Sequence, residues 1–368
     1  RGNALKQTVT RDYFGDDGLT IIGSETQSIT NDPFNIHDRT TRSVILNYEG
    51  KGDTKIFTDA QEISYLQYDR YGNSERQTID TYSTADMAPD SLASHKAIEN
   101  NYGAADDTIT VLLSDGTTTS KSAIYARKKG NPLSSTVTEY TSKTESSDTL
   151  VSRTVSATSL FDYRGNAIDQ QSDRFVANSS GELTLVTRTV MHNGNIDSRG
   201  DAHSQEITTS TTDITGANLE ETDYQVITSR SFDARHNVLN QVISHYDEKA
   251  GELMDVQEVR YLGFHSSGTA LRQYVVTYAD EARTQVIEAK DIVNSAINSS
   301  GNAGHVEITT YRRAEIADDT SIEGDKDGAI TFIGALDIQT IDTNLADFDR
   351  RGNALKQTVT RDYFGDDG

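Results

Sequence analysis

A short polar element recurs along the chain at nearly constant intervals. It consists of an aromatic residue, Asp, two variable residues, Gly and Asn, and its clearest copies begin at Tyr68, Phe161 and Phe348. The positions equivalent to its glycine are 32–36 residues apart, except for two longer intervals of 58 and 51 residues. These positions are Gly2, Asp38, Gly72, Gly130, Gly165, Gly200, His236, Gly268, Gly301 and Gly352. A period of this length is typical of a protein built from repeated supersecondary units.

A longer period contains the shorter one. Residues 1–18 reappear letter for letter as residues 351–368, which gives a second period of 350 residues. We therefore interpret residues 1–350 as one full long repeat of nine hairpin units and residues 351–368 as the start of the next identical repeat. The two long intervals indicate insertions near 83–106 and 312–328, and residues 89–101 are predicted to form a short surface helix.

Each hairpin repeat has the pattern of two strands and two turns. Leu5, Val9 and Tyr13 alternate with polar residues and are predicted to share one face of a strand. The GDDG segment at 15–18 is a turn sequence. The aromatic–Asp–x–x–Gly–Asn element is the other turn, because Gly and Asn tolerate a left-handed backbone. The predicted structural residues of this second turn are Gly2, Asn3, Gly72, Asn73, Gly130, Asn131, Gly165, Asn166, Gly301, Asn302, Gly352 and Asn353.

These patterns predict an all-β fold, a repetitive antiparallel β-hairpin meander with about 35 residues per unit. Two strands per unit give some 18 strands per long period. A flat strip of that length would have to resist the natural twist of a sheet and would expose its edges, so we expect it to curl into a spiral sheet or a hollow tube. The alternative is a parallel β-solenoid with one coil per repeat.

Composition limits the partners of the chain. Hydrophobic residues make up 34% of the sequence and the net charge is −23, values that are also found in disordered chains. The alternating runs of Thr, Val, Ile and Tyr favour a polar-faced sheet instead. Strong acidity argues against nucleic acid as a partner, because phosphate binding needs clustered Lys and Arg. No apolar stretch approaches the roughly 20 residues of a membrane span, and the lack of cysteine excludes disulfides.

The residues of known catalytic motifs are missing. The sequence has no HExxH, GxSxG or P-loop pattern and no cysteine nucleophile, so we predict that it is not an enzyme and holds no cofactor. The eight histidines lack metal-ligand spacing, and His236 stands at a repeat glycine position, which indicates a structural role. Arg199–Gly200–Asp201 spells an adhesion tripeptide, but it occupies the Arg–Gly–Asn position of a repeat turn.

One acidic segment has spacing that resembles a cation-binding loop. Glu323, Asp325 and Asp327, followed by Gly328, resemble the first half of an EF-hand loop. The twelfth position is Gly334, where a bidentate Glu should complete the coordination. The segment therefore predicts at most a weak Ca²⁺ site.

The repeated turn element resembles the YD repeats of the Rhs family. The matching segments are Tyr68–Asn73, Phe161–Asn166 and Phe348–Asn353, although this chain has a longer period and often has Phe for Tyr. The resemblance implies long antiparallel sheets that wind into hollow shells at or beyond the cell surface. We predict a structural tandem-repeat protein that forms an extracellular filament, tube or sheath, with copies of itself as partners in a tandem or helical array. The alternatives are an adhesin stalk that presents a binding tip outside these 368 residues, and an Rhs-like shell that encloses a toxin.

Overall fold

The computed structural model describes residues 4–14, 21–50, 54–233, 235–265, 267–298, 301–316, 330–348 and 354–365. These residues form 21 β-strands, one short α-helix and three 3₁₀ turns. They divide into two compact units, the first comprising residues 1–192 and 209–220 and the second residues 193–208 and 221–368. None of the helices in the described ranges is long and apolar enough to cross a membrane.

The first compact unit is an antiparallel meander. Its elements are β1 (Lys6–Phe14), β2 (Ile21–Asn31), β3 (Arg42–Gly50), β4 (Ile56–Tyr68), β5 (Ser74–Tyr82), a 3₁₀ turn (Pro89–Ser91), β6 (Leu92–Asn101), β7 (Thr108–Leu112), β8 (Thr118–Ser122), α1 (Ile124–Lys129), β9 (Ser134–Tyr140), a second 3₁₀ turn (Ser147–Thr149), β10 (Leu150–Asp162) and β11 (Ala167–Ala177). Strands β1 to β5 each pair antiparallel with the next strand, and the ladder continues from β6 to β9, β10 and β11. Val9 of β1 lies opposite Gln27 of β2, so the predicted antiparallel meander is confirmed and the parallel solenoid is wrong.

Extra elements stand between β6 and β9, two strands that pair with each other. They are the β7–β8 hairpin and α1, and β7 also pairs in parallel with the end of β10, where Leu160 lies opposite Thr110. The helix predicted for residues 89–101 is wrong, because residues 92–101 form β6. Pairing with β5 and β9 holds this segment extended, and His95 and Ala97 alternate into the buried face.

The second compact unit continues the same pattern. Two strands, β12 (Leu183–Ile196) and β13 (Ala202–Thr211), are divided between the two units. The strands that follow are β14 (Glu220–Phe232), β15 (Val238–Tyr246), β16 (Leu253–Phe264), β17 (Ala270–Tyr278), β18 (Val286–Ile297), β19 (Ala303–Ile316), β20 (Ile330–Asp342) and β21 (Thr358–Tyr363), with a 3₁₀ turn at Leu345–Asp347. Each strand from β14 to β20 pairs antiparallel with its successor. In the part of the first 350 residues that the structure describes there are twenty strands, and β7 and β8 are the two that lie outside the meander.

Buried apolar side chains of the described residues form two small clusters. In the first unit Val111, Ala123 and Phe161 pack where β7, the start of α1 and the end of β10 meet. In the second unit Val256 and Val276 form the centre of a cluster on β16 and β17. These clusters agree with the low hydrophobic content of the chain, since a half-polar sheet needs only local apolar burial.

Charged side chains occupy many of the other buried positions on the sheet. Buried carboxylates form ion pairs with cationic side chains in the same sheet, at separations of 2.9 Å or less. The pairs are Glu258–Arg260, Asp291–Arg272 and Asp337–Arg361. Removing one member of such a pair is costly, because it leaves the other charge buried without compensation.

Candidate functional site: the stacked repeat turns

The repeat turns share one backbone geometry. We call segments 35–39, 69–73, 127–131, 162–166, 197–201, 233–237, 265–269 and 298–302 the repeat turns. In all of them except 127–131, the first N–H donates to the fifth carbonyl and the fourth N–H donates to the first carbonyl. The fourth residue has a positive φ in all eight, including Asp38 at 60° and His236 at 68°. Gly is favoured there because it adopts this conformation without a Cβ clash.

An aspartate holds the turn together from its first position. Asp69 Oδ1 accepts hydrogen bonds from the backbone N–H groups of Tyr71, Gly72 and Asn73 at 2.8–2.9 Å. Asp69 Oδ2 accepts a further bond from Asn73 Nδ2 at 2.9 Å. Burial alone would raise the pKa of Asp69, but the hydrogen bonds from Asn73, Tyr71 and Gly72 outweigh it and hold that pKa below its ordinary value. The Asp and the Asn of the sequence element therefore cap the turn together, the Asp as hydrogen-bond acceptor and the Asn as donor.

The same cap recurs in both compact units. Asp162 accepts three backbone hydrogen bonds at 2.7–2.9 Å and one from Asn166 Nδ2, and Asp233 is bonded to Asn237 in the same way. At turn 298–302 an asparagine replaces the aspartate, and Asn298 Oδ1 accepts the backbone N–H of Asn302 at 2.9 Å. An Asx side chain at the first position is therefore enough to close the turn.

The turn at 127–131 is built differently. Gly130 follows the last residue of α1 with φ 77°, its N–H donates to Arg127, and the N–H of Asn131 donates to the carbonyl of Ala126. This is the glycine-centred helix end known as a Schellman motif. One repeat position thus serves either as the left-handed residue of a turn or as the end of a helix.

Successive turns of the first unit are hydrogen-bonded to each other. Arg39 donates to the carbonyls of Asp69 and Arg70 at 2.5 and 3.1 Å, one turn further along. Asn73 Nδ2 then donates to the carbonyl of Arg127 at 2.7 Å. At the next step Lys129 Nζ donates to the carbonyls of Tyr163 and Arg164, and Asn131 Nδ2 donates to that of Gly165. We call this series of contacts the turn ladder.

The second unit has turn-to-turn bonds of the same kind. Arg199 Nη1 donates to the carbonyl of Asp233 at 3.0 Å, and Thr269 Oγ1 donates to that of Gly301 at 2.9 Å. His236 Nδ1 lies 2.6 Å from Asp201 Oδ1, which links the same two turns a second time. The donors differ from step to step, but nearly every acceptor is a main-chain carbonyl.

The Arg–Gly–Asp tripeptide is a turn-ladder segment. Asp201 is only 7% exposed, and its carboxylate lies 2.7 Å from Arg199 Nη2 and 2.6 Å from His236 Nδ1. Its backbone N–H donates to Asp197. Both charged members of the tripeptide are thus paired with other groups of the protein, as expected for a structural turn.

Several residues singled out in the sequence lie outside the described ranges. They are Gly2, Asn3, Gly352 and Asn353 of the repeat turns and Glu323, Asp325 and Asp327 of the acidic loop. The weak Ca²⁺ site therefore stays a prediction. Across the described ranges no group of three or more acidic or histidine side chains is placed to hold a metal ion.

Sequence reasoning missed a charged cluster in the first unit. His95 Nδ1 lies 2.5 Å from Asp80 Oδ1, and Lys143 Nζ lies 2.8 Å from Asp80 Oδ2 and 2.9 Å from Glu62 Oε2. Glu62 is also paired with Arg42 at 2.6 Å. These residues are far apart in sequence and meet only because β3, β4, β5 and β6 are neighbours, with the loop after β9 folded across them. No local pattern could have identified the cluster.

The cluster borders a cavity of about 580 Å³. Its lining residues are Arg42, Glu62, Tyr82, Asp86, Met87, Pro89, Leu92, Ser142 and Lys143. Burial would lower the pKa of Lys143, but hydrogen bonds to Asp80, Tyr82 and Glu62 outweigh it and raise that pKa. The ammonium group is thus held in its charged form by carboxylates, which suits a cross-strand clamp better than a proton-transfer group.

Comparisons with known proteins do not assign the chain to a family. No family model matches the chain, and no curated protein matches it either. Among solved structures it is similar to TcdB2-TccC3 without its hypervariable C-terminal region, with 12% identity and a TM-score of 0.14 over 89% of this chain and 23% of that one. It is also similar to the Photorhabdus luminescens Tc holotoxin pore, with 12% identity and a TM-score of 0.14 over 97% and 26%. The chain spans about a quarter of the length of these structures. Since such TM-scores do not establish a shared fold, the assignment to a β-hairpin repeat architecture rests on the strand pairing.

Proposed function

We propose that this chain is one period of a structural tandem array that forms a filament, sheath or tube at the cell surface or outside the cell. In this role the sheet is a scaffold without catalytic activity, and its partners are further copies of the same period.

The turn ladder is the observation that carries the proposal. Within each compact unit, hydrogen bonds from one repeat turn reach the next turn about 35 residues away, as at Arg39, Lys129 and Arg199. Bonds between nearest neighbours are what allow a repeat array to grow by addition of identical units, because each unit is completed by the one beside it. The long period of 350 residues repeats the whole set of neighbours.

Proteins that contain one, two and three covalently joined periods test this function. We expect electron microscopy to show elongated particles whose length increases by a constant step with each added period. Solution scattering should give the same step in the maximum dimension. Separate globular beads on flexible tethers would contradict a continuous array.

A shell that encloses a toxin is the second candidate. The specific observation in its favour is that the caps at Asp69 and Asp162 are formed by the element that resembles the Rhs repeats. The length experiment also separates the two functions. A shell predicts that added periods widen or close one compact particle, whereas the array predicts that they lengthen it.

A further inference from the structure

The strands of the first compact unit are joined by two different sets of connections. The repeat turns 35–39, 69–73, 127–131 and 162–166 all join the same ends of the strands, because each strand of the meander reverses the direction of the one before it. The loops 83–91, 141–149 and 178–182 join the opposite ends. We call the first set the turn side of this unit and the second set its loop side.

The two sides carry opposite net charge, although the chain as a whole has a net charge of −23. Six cationic residues and three aspartates belong to the turn side. The cationic residues are Arg39, Arg70, Arg127, Lys128, Lys129 and Arg164, and the aspartates are Asp38, Asp69 and Asp162. The loop side has one lysine, Lys143, and five carboxylates. The carboxylates are Asp86, Asp90, Glu145, Asp148 and Glu182. The turn side is therefore cationic and the loop side acidic.

The turn ladder leaves much of the positive charge on the turn side without a carboxylate partner. Arg39 and Lys129 donate to main-chain carbonyls, which are neutral acceptors. Arg70 and Lys128 are exposed. In contrast, the cap residue Asp69 is only 7% exposed, and backbone N–H groups of its own turn bind its carboxylate. The charge that the turn side presents to solvent is therefore mainly positive.

The carboxylates of the loop side are accessible. Asp86, Asp90, Asp148 and Glu182 are all exposed. A hydrogen bond from Thr84 holds the pKa of Asp86 below its ordinary value, so this group is ionised at neutral pH. The loops that carry Asp90 and Asp148 are neighbours, because β6 follows the first loop, β9 precedes the second, and these two strands pair with each other. The loop side therefore presents a row of negative charges.

The two rows of charge have the same spacing because they are built on the same strands. Successive repeat turns are two strands apart, and so are successive loops, which gives each row a period of about 10 Å. Arg70 and Lys128 belong to successive turns, just as Asp90 and Asp148 belong to successive loops. One exposed ion pair contributes little to binding, but two matched rows join several pairs in a single contact.

We propose that the turn side of one molecule docks on the loop side of a second copy of this chain. The contact is head-to-tail, and each copy keeps one free turn side and one free loop side, so association continues as an open row. This row extends along the strand direction, whereas the turn ladder extends across the strands. The contact thus joins arrays laterally and goes beyond the proposed function, which concerns growth from period to period.

Salt dependence of self-association is the first test. We expect sedimentation velocity of residues 1–368 to show concentration-dependent association at an ionic strength of about 0.01 M, where the Debye length is about 30 Å. The association should be lost at about 1 M, where that length is about 3 Å. A chain that stays monomeric at low salt, or that associates equally at high salt, would overturn the proposal.

Charge reversal on the turn side is the second test. The variant Arg70→Glu/Lys128→Glu should associate roughly tenfold more weakly or less at low salt, because carboxylates then meet the acidic loop side. The matched control is Arg174→Glu/Arg313→Glu, which makes the same change in net charge at exposed strand positions and should associate as the unchanged chain does. Equal weakening in the two variants would mean general repulsion and would contradict docking by the turn side.

A charge exchange between the two sides provides the third test. The loop-side variant Asp90→Lys/Asp148→Lys should also lose self-association, because two cationic surfaces then meet. An equimolar mixture with Arg70→Glu/Lys128→Glu should associate again, since the new carboxylates of one variant meet the new lysines of the other. Urea unfolding checks that both variants are folded, and if the loop-side variant is not, the comparison of the turn-side variant with its control decides. A mixture of folded variants that stays monomeric would overturn the proposal. These experiments use single chains, so their failure leaves the length experiment on joined periods unaffected.

Discussion

At the residue scale, a few backbone positions fix the repeat turns. The fourth turn residue has a positive φ whether it is Gly, Asp or His, and the first residue caps the turn with its side chain. A side chain at the fourth position is tolerated where the neighbouring turn leaves room for it. At His236 that side chain even contributes a bond to Asp201.

Gly165 and Gly116 provide a matched pair of alanine substitutions. Both have positive φ, +103° and +81°, so alanine should cost each about 1–2 kcal/mol of unfolding free energy. A Cβ on Gly165 would also lie 2.4 Å from Asn131 Nδ2 and 2.9 Å from Lys129 Cδ, whereas nothing lies within 4 Å of a Cβ on Gly116. We expect Gly165→Ala to cost about 1 kcal/mol more, the value of one lost ladder bond.

Urea unfolding followed by circular dichroism measures both variants. Because the two φ values differ, the comparison is repeated in an Asn131→Ala background, where the excess cost at Gly165 should shrink. An excess that persists unchanged there would assign the loss to backbone strain and not to the turn ladder.

At the element scale, cross-strand ion pairs replace much of the apolar core. Asp173 of β11 lies directly opposite Arg188 of β12, and two bonds of 2.7 Å join them. The hydrogen bonds from Arg188 lower the pKa of Asp173, against the opposing effect of burial. Such a pair fixes register as well as charge, because a slip by one residue would move both groups to the other face.

The pH dependence of this pair follows from the lowered pKa. The folded pKa lies below the unfolded value, so the pair stabilises the fold above the unfolded pKa of about 4 and loses this effect as pH falls through the folded pKa. A double-mutant cycle of Asp173→Asn and Arg188→Gln should give a coupling on the order of 1 kcal/mol at pH 7, because Arg188 is partly exposed and solvent screens the pair. We expect the coupling to decrease as the pH falls below about 4 and through the folded pKa of Asp173.

The exposed pair Arg313–Glu315, with atoms 4.0 Å apart, is the control. Its cycle of Arg313→Gln and Glu315→Gln should give little coupling at pH 7 or at lower pH. A coupling between Asp173 and Arg188 that does not decrease as the pH falls through this range would contradict an ionic origin.

The elements that can be predicted from the sequence are those that depend on local residue patterns. The period-two alternation of residues 5–14 and the Asp–x–x–Gly–Asn turns act over a few residues, so the hairpins and the meander could be predicted. Irregularities before the repeat turns could not, because Ala296 has a φ of 52° although Ala does not favour a left-handed backbone. Nor could the cluster around Asp80 and Lys143, which depends on strands distant in sequence.

At the scale of the whole molecule, the hairpin is the unit that can be added or removed. Neighbouring strands run in opposite directions. A deletion must therefore remove two strands if every later strand is to keep its direction in the sheet. Deleting residues 233–264 joins Phe232 to His265 and removes one hairpin, β15 and β16. Deleting residues 233–246 removes β15 alone and reverses all strands that follow.

We expect the hairpin deletion to fold and the single-strand deletion to fail. The first should keep the circular dichroism signal per residue and a cooperative urea transition, at some cost because Val256 is lost from its cluster. The second should lose most of its sheet signal and aggregate. Equal loss in both would mean that the second compact unit is one indivisible domain and not a row of repeats.

The main-chain acceptors of the turn ladder have a consequence for how such a chain changes over generations. A carbonyl oxygen is present whatever amino acid a codon specifies, so mutation cannot remove it. Arg39, Asn73, Lys129, Arg199 and Thr269 all supply its partner, although they are chemically unlike. Duplicated hairpins can therefore diverge in sequence until only the spacing of their turns indicates a common origin. The hydrogen bonds between turns, and with them the spacing of hairpins in an array, are kept.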